Sequence, residues 1–221
     1  MMKRLRSRPL LTVSLYFLLY QAVFVFLEQW KRVPHIVHCR LDDWIPFIPA
    51  AVVPYVLWFA WVPLTMLWLL RRDRERFWRL FFTIACGTAF ALAVYAVYPT
   101  IQLRRRTLYG RDVFTSLIRF IYTVDTPTNV CPSLHVFVSV AVLLAVCGSV
   151  HMARRYKLLH GVLAVAICLS TVVIRQHSCV DVVCGLALAF VVYALVGRYL
   201  ARSFGPWPER QAWVRLRRAR A

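Results

Sequence analysis

Six stretches of the sequence are apolar over roughly the length that a helix needs to cross a membrane. A bilayer core of about 30 Å requires about 20 helical residues. Lipid offers no partners to backbone polar groups, so each crossing stretch must be helical. The sequence therefore predicts an all-α, polytopic membrane protein. Its six-transmembrane-helix bundle would use spans at about 9–29, 47–70, 79–98, 132–150, 158–175 and 179–200.

The composition agrees with a membrane protein and argues against a soluble one. The chain is 61% hydrophobic, with a net charge of +19 from 28 Lys and Arg against 9 Asp and Glu. These basic residues lie mostly between apolar runs, where they set topology and contact anionic lipid headgroups. The lipid bilayer is thus the expected partner. Nucleic acid is not, because no basic region has a soluble domain around it.

The distribution of Lys and Arg predicts the orientation of the chain. One side of the membrane would hold 19 of the 28, in the N-terminus, the loops at 71–79 and 151–157, and the tail. Cytoplasmic segments carry the excess of basic residues in membrane proteins. Both termini are therefore predicted to be cytoplasmic. The lack of a long loop or targeting extension favours a multi-pass protein of the cell (plasma) membrane.

The chain reads as a single membrane-embedded domain, 1–221, without internal repeats. Its motif-bearing core covers about 95–200, and 201–221 forms a basic cytoplasmic tail. In the loop between the third and fourth spans, residues 113–124 place apolar groups around Arg119. That pattern predicts a short helix lying in the membrane interface.

A first polar cluster lies at 129–139, "NVCPSLHVFVS". Pro132 suits the first turn of a helix. Ser133 and the amides that follow it would then lie at a helix N-terminus, which is a ready anion site. His135 falls in the same first turn. Ionisable groups at the ends of membrane helices are costly, so they are candidates for function.

A second polar cluster lies at 173–181, "VIRQHSCVD". His177 and Asp181 are four residues apart and would share one helical face. A carboxylate that binds one imidazole nitrogen fixes the tautomer and leaves the other nitrogen as a base or nucleophile. Arg175 adds a planar, permanently charged group suited to phosphate. Asp181 could also serve merely as a helix cap, since a carboxylate is stabilising near a helix N-terminus.

Together the two clusters suit phosphoryl transfer through a covalent histidine. One histidine would attack phosphorus while the other protonates the leaving oxygen. Arginines and helix amides would hold the phosphate oxygens as charge develops. Two histidines with fitting neighbours favour catalysis over a structural role, because a helix-capping role explains only the aspartate.

These residues resemble the type 2 phosphatidic acid phosphatase superfamily. "PSLH" at 132–135 is similar to its second signature, PSGH. "STVVIRQHSCVD" at 170–181 is similar to its third, SRxxxxxHxxxD, with the spacing intact. The resemblance covers about 95–200 and implies a six-helix bundle whose motifs lie at the outer ends of the helices.

The resemblance also implies roles for individual residues. His177 would be the nucleophile, Asp181 its orienting partner and His135 the general acid. No metal or other cofactor would be needed. Phosphate would be bound by Ser133, the amide of Leu134, and Ser170.

The first signature of the superfamily, KxxxxxxRP, is incomplete in this chain. It should fall near 97–105, where Arg104 fits the arginine. Val97 and Arg105 occupy the lysine and proline positions. Arg105 or Arg106 could supply the missing positive charge.

The third signature lacks its arginine, since Thr171 stands at that position. Our hypothesis is that Arg175, one turn further on the same helical face, reaches the same phosphate. Leu134 in place of glycine is similar to the inositol phosphorylceramide synthase branch.

The expected activity is hydrolysis of a lipid phosphate monoester or pyrophosphate at the extracytoplasmic face, through a phosphohistidine. The substrate would be a membrane lipid with a phosphate or pyrophosphate headgroup. The alternative is a phosphotransferase, like inositol phosphorylceramide or sphingomyelin synthase, that moves a phospho-headgroup to a lipid alcohol.

Two interpretations of other kinds remain. A membrane haem protein could use His135 and His177 as axial ligands, but this gives no reason for Ser133 or Asp181. An ion transporter would need polar residues across the membrane midplane, and the centres of the spans contain almost none.

Seven cysteines are present, and no pair has the CxxC spacing of a zinc site. Most lie in apolar runs and are expected to act as small core residues. A disulfide among Cys39, Cys131 and Cys179 is open if all three face an oxidising compartment.

Overall fold

A computed structural model describes residues 7–30 and 33–204, which are almost entirely helical. The predicted tail falls outside the described residues beyond position 204, as do three of the four N-terminal basic residues. In chain order the elements are α1 (Pro9–Gln29), β1 (His35–Ile36), α2 (Arg40–Trp44), a 3₁₀ turn (Pro49–Ala51), α3 (Val52–Arg72), α4 (Arg74–Val97), β2 (Thr100–Ile101), α5 (Val113–Val124), α6 (Leu134–Gly148), α7 (Arg154–Val173) and α8 (Cys179–Phe204).

Within residues 7–30 and 33–204, five helical segments are long and apolar enough to cross a membrane. They are Pro9–Gln29, Pro49–Arg72, Arg74–Val97, Arg154–Val173 and Cys179–Arg202. The prediction of an all-helical protein with several helices able to cross a membrane is confirmed, whereas the number of six spans is not. The remaining predicted span, 132–150, is the fourth in chain order and forms α6, which has only 15 residues. At 1.5 Å per residue α6 is about 22 Å long, shorter than the bilayer core.

Helix α6 occupies the centre of the bundle. It packs against α3, α4, α7 and α8. Its own Val, Leu, Ala and Phe side chains point to all sides of the helix axis, and most of its side chains are buried. A helix that is apolar on every side is typically buried in this way. Neighbouring helices therefore cover α6 with protein along its length. The core around it includes Leu69, Phe77, Trp78, Phe137, Ala141, Val146 and Ile167.

The predicted helix at 113–124 is present as α5, with those bounds. Asp112 caps its N-terminus by accepting a hydrogen bond from Thr115 N at 3.0 Å. Ile118 and Ile121 are buried and pack with residues of α3. The helix is thus amphipathic, whereas its position in a membrane interface stays a prediction.

Two short strands join the segments that follow α1 and α4. His35 pairs with Thr100 and Ile36 with Ile101, in parallel. Thr100 O also accepts a hydrogen bond from Asn129 N at 2.7 Å. These bonds gather three loops at one end of the bundle, the end at which α6 and α8 begin. We call it the histidine end, because both polar clusters, 129–139 with His135 and 173–181 with His177, lie there.

Helices α6 and α8 approach closely where they begin. A Cβ atom at Gly185 of α8 would lie 2.6 Å from Ser133 O and 3.1 Å from Val136 Cβ. The lack of a side chain at Gly185 lets the backbones meet. Ser133 N in turn donates to Asp181 O at 3.1 Å. This crossing brings the two polar clusters together, although they are about 40 residues apart in sequence.

Candidate functional site

His135 and His177 lie side by side at the histidine end. His135 is the second residue of α6, and His177 lies in the link between α7 and α8. The centroids of the two imidazole rings are 6.0 Å apart. Both histidines line a cavity of about 270 Å³. The structure thus brings together the two residues that the sequence placed in separate clusters.

Asp181 orients His177 and also caps α8. Its Oδ2 atom lies 3.3 Å from Nδ1 of His177 and accepts a hydrogen bond from Ser178 N at 2.9 Å. The aspartate is fully buried. Its contacts are compatible with both the capping and the orienting interpretations, and its role in catalysis stays a prediction. In a neutral imidazole that directs its Nδ1 proton at this carboxylate, Nε2 is the nitrogen without a proton.

Three aromatic rings of α3 surround His135. Tyr55 stacks on its imidazole with the ring centroids 4.4 Å apart. The rings of Trp58 and Phe59 lie at 4.6 and 5.9 Å. Nε2 of His135 is buried and has no hydrogen-bond partner among the described residues. A buried polar atom without a partner calls for an explanation, and a ligand in the adjoining cavity supplies one.

A hydrogen-bonded network runs beside the histidine pair. Arg105 donates from Nη2 to Oε1 of Gln176 at 2.5 Å and from Nη1 to the carbonyl of Tyr122 at 2.9 Å. The carboxylate of Asp125 accepts from Tyr55 Oη at 2.5 Å and from Gln176 Nε2 at 3.2 Å. Burial lowers the pKa of Arg105, and the charge of Asp125 opposes that shift. Gln176 and Asp125 line the cavity, so Arg105 contacts its wall.

The hypothesis that Arg175 lies on the same helical face as position 171 is wrong. Helix α7 ends at Val173, and Arg175 has a left-handed backbone with φ of 60°. Such a residue just beyond a helix ends its hydrogen-bonding pattern. Arg175 donates from Nη1 to the carbonyl of Arg104 at 3.3 Å. Burial, and then the charges of Arg106 and Arg104, lower the pKa of its guanidinium. Whether it binds phosphate stays a prediction.

Arg104 is directed at Asp42 in α2. Its Nη2 atom donates to the carbonyl of Asp42, and its Nη1 atom lies 3.6 Å from the carboxylate. Asp42 is fully buried and also accepts hydrogen bonds from Ser178 Oγ at 2.6 Å and Cys179 N at 2.8 Å. Arg104 therefore holds a carboxylate at the start of α8, and its predicted contact with phosphate is not tested.

The remaining predicted phosphate ligands lie at helix ends. Ser133 is the N-cap of α6 and accepts a long hydrogen bond from Val136 N at 3.4 Å. Leu134 lines the cavity at the first position of α6. Ser170 Oγ donates to the carbonyl of Ile167 within α7, at 2.7 Å. The start of α6 therefore faces the cavity, whereas the hydroxyl proton of Ser170 is engaged in its own helix.

One group of side chains in the described part of the chain could hold a metal ion. Sγ of Cys39, a carboxylate oxygen of Asp42 and Sγ of Cys179 lie within 4.8 Å of one another. All seven cysteines belong to the described residues, and none of them forms a disulfide in this structure. The pKa of Cys131 is raised by burial and by the nearby charge of Asp181.

The sequence did not single out several residues of the site. Asp125 lies in the stretch "DTPTN" at 125–129, whose residues are typical of a turn. No pattern marks Asp42, Tyr55 or Trp58. Aromatic residues are common near span ends, so their pattern carries little information. Among these missed residues, Gln176 is the one that the sequence could have indicated, because it lies next to His177 within the stretch 170–181.

The chain was also compared with known proteins. No protein-family model matches it, and no curated protein or solved structure matches it either.

Proposed function

We propose that this protein is an integral-membrane phosphatase that hydrolyses a lipid phosphate or pyrophosphate through a phosphohistidine. One observation carries the proposal, the pair of imidazoles whose ring centroids are 6.0 Å apart. A buried carboxylate holds one of them, and Nε2 of the other is buried without a partner within the described chain. Such a pair suits nucleophilic and acid–base roles on one phosphorus atom.

In the proposed reaction, Nε2 of His177 attacks phosphorus and a P–N bond forms. The bond from phosphorus to the lipid oxygen breaks, and His135 gives a proton to that oxygen. Water then attacks the phosphohistidine while His135 takes a proton from it. The P–N bond breaks and phosphate leaves. Asp181 stabilises the positive charge that His177 carries while phosphorylated.

The phosphate oxygens would be held at the start of α6 and by nearby guanidinium groups. The first amides of a helix carry partial positive charge and favour an anion. Nε of Arg105 is buried and without a hydrogen-bond partner among residues 7–30 and 33–204. It is the strongest candidate for the charge missing from the first signature, because Gln176, which it binds, lines the cavity.

A lipid substrate agrees with the walls of the cavity. Apolar and aromatic side chains from α1, α3 and α4 line it, including Phe17, Phe24, Trp58, Phe59 and Tyr95. In the proposed arrangement six helices cross the plasma membrane with both termini in the cytoplasm. α5 then lies in the interface and the histidine end faces outward. Acyl chains would enter from the bilayer between α1 and the rest of the bundle.

Phosphate release from a panel of lipid phosphates tests the proposal. We expect His177→Ala to lower the rate by at least about a thousandfold, because the nucleophile is lost. His160→Ala is the matched control, since His160 accepts a hydrogen bond from Trp61 Nε1 in another part of the bundle. It should keep near-normal activity. Acid-labile phosphate bound to the wild type but not to His177→Ala would identify the intermediate.

Absence of phosphate release on every lipid tried, with a folded wild type, would contradict hydrolysis. An intense haem absorption band in the purified protein would instead support the bis-histidine haem alternative.

A phosphotransferase is the second candidate, and Leu134 favours it. Its side chain lines the cavity beside His135. An apolar group there favours a lipid alcohol over water as the acceptor. Supplying diacylglycerol or ceramide together with a labelled phospholipid separates the two activities. Label recovered in a new lipid supports transfer, and label recovered as phosphate or a phosphorylated headgroup supports hydrolysis.

A further inference from the structure

Cys39 and Cys179 lie close together at the start of α8, although 139 residues lie between them in the sequence. Their sulfur atoms lie within 4.8 Å of each other. Cys39 immediately precedes α2, and Cys179 is the first residue of α8. Both side chains are partly exposed. A reagent can therefore reach both thiols while the fold holds them as neighbours.

The backbone around both cysteines is fixed by one side chain. Asp42 accepts hydrogen bonds from Cys39 N at 2.9 Å and from Cys179 N at 2.8 Å. A single buried carboxylate thus sets the separation of the two main chains. Disulfides form readily only where the fold already places two cysteines at bonding separation, since backbone movement is costly.

A metal site is the other use for this cluster, and the surroundings of Asp42 argue against it. Its two oxygens already accept from Ser178 Oγ and from both cysteine amides. Its charge is balanced by Arg104, whose Nη1 atom lies 3.6 Å away. A divalent cation bound there would have to displace these donors and lie beside a guanidinium group.

We propose that Cys39 and Cys179 form a disulfide that ties the segment after α1 to the start of α8. Each thiol loses one proton and an S–S bond forms between the two sulfur atoms. The two electrons pass by thiol–disulfide exchange to a second disulfide, which acts as the oxidant and is reduced to two thiols. The cross-link closes a long loop of the chain, which restricts the unfolded state strongly. It also fixes the helix start that carries Asp181.

Alkylation and peptide mapping of the full chain test the proposal. The purified protein is equilibrated in detergent with reduced or oxidised glutathione, then treated with a maleimide and digested. After oxidation we expect Cys39 and Cys179 to escape alkylation and to appear in one linked peptide pair, lighter by two hydrogens. The wild type should also unfold several degrees higher when oxidised than when reduced.

Variants separate this disulfide from other causes of the shift. Cys39→Ser and Cys179→Ser should each abolish the redox-dependent change in melting temperature. Cys86→Ser, at an exposed position in α4, should retain it. The peptide map of the wild type decides the matter even if a serine variant fails to fold.

Three results would overturn the proposal. The first is full alkylation of both thiols after oxidation. The second is a linked peptide that contains Cys131 in place of either cysteine. The third is a stabilisation by Zn²⁺ that equals the effect of oxidation and disappears in Cys39→Ser, which would assign the cluster to a metal.

Discussion

The carboxylate of Asp42 is buried between α2 and the start of α8. Hydrogen bonds from Ser178 Oγ and two backbone amides reach it, and Arg104 lies beside it. Burial alone would raise the pKa of Asp42. The hydrogen bonds from Ser178, Cys179 and Cys39 outweigh burial and hold the pKa below its usual value. Asp42 therefore acts as an anion that organises the residues around His177.

Replacement of this carboxylate is predicted to destabilise the protein. Asp42→Asn removes the charge and leaves Arg104 buried without its counter-ion, which should cost about 3 kcal/mol. Asp43→Asn is the control, because Asp43 is exposed and, within the described residues, forms its one ion pair with His38. It should change stability by less than about 0.5 kcal/mol. Thermal unfolding in detergent measures both. Equal melting temperatures for the two variants would show that Asp42 is not an organising group.

The pH dependence of stability gives a second readout for Asp42. Its pKa is lower in the folded state than the unfolded value of about 3.9. The contribution to stability is therefore complete above about pH 5, well above the unfolded pKa, and is lost as the pH falls through the folded pKa. Asp42→Asn should lack this part of the acid destabilisation.

Single residues of the site differ in how far the sequence could predict them. His177 and Asp181 were paired in the sequence because a spacing of four places two residues on one helical face. The pair is present, but the shared helical face is not, because His177 precedes α8 and reaches Asp181 from the link before it. Asp42 and Tyr55 reach the site from other parts of the chain, and no local pattern reports such a contact. The position of Arg175 was predicted wrongly, because the sequence has no glycine or proline to mark where α7 ends.

At the scale of elements, the crossing of α6 and α8 sets the distance between the two clusters. It depends on Gly185, where a Cβ atom would overlap with Ser133 O. The hydropathy pattern predicted that both helices exist and gave their approximate bounds. It could not predict which helices touch, because apolar residues on every side of α6 give no preferred face.

Gly185→Ala is predicted to separate α6 from α8. The new methyl group would lie 2.6 Å from a backbone oxygen, which cannot move without moving the helix. We expect a loss of about 1–3 kcal/mol of stability. If the proposed reaction is right, displacement of His135 from His177 should lower the rate at least tenfold.

Gly161→Ala is the matched control for that substitution. A Cβ atom there would meet only Leu143 Cδ1, at 3.9 Å, which is ordinary contact. Alanine also has the higher helix propensity, so stability should stay equal or rise. Circular dichroism melts and phosphate release compare the two variants. A Gly185→Ala protein as stable as Gly161→Ala would contradict the close crossing.

At the scale of the whole molecule, the number of crossings determines where the termini lie. In the described part of the chain, five helices are long enough to cross a membrane, and α6 is shorter but packs against four of its neighbours. If α6 crosses with its neighbours, both termini lie on the same side. The surplus of basic residues predicts that this side is the cytoplasm.

Tags at the two termini and at Tyr109 test this topology. Tyr109 is 88% exposed in the segment between β2 and α5, so an insertion there should not disturb the bundle. We expect a membrane-impermeant reagent on intact cells to reach the tag at 109 and neither terminal tag. Labelling of one terminus would indicate an odd number of crossings.

Helix α1 has a further consequence for how this protein could change over evolution. None of its residues is buried, yet Phe17, Tyr20 and Phe24 form part of the cavity wall. Substitutions there remove little of the packing on which folding depends. The lining of the cavity can therefore diversify on α1 while the histidine pair and the core around α6 are retained. If the proposed function is right, a protein with this division can acquire a new lipid preference by successive, individually tolerated mutations.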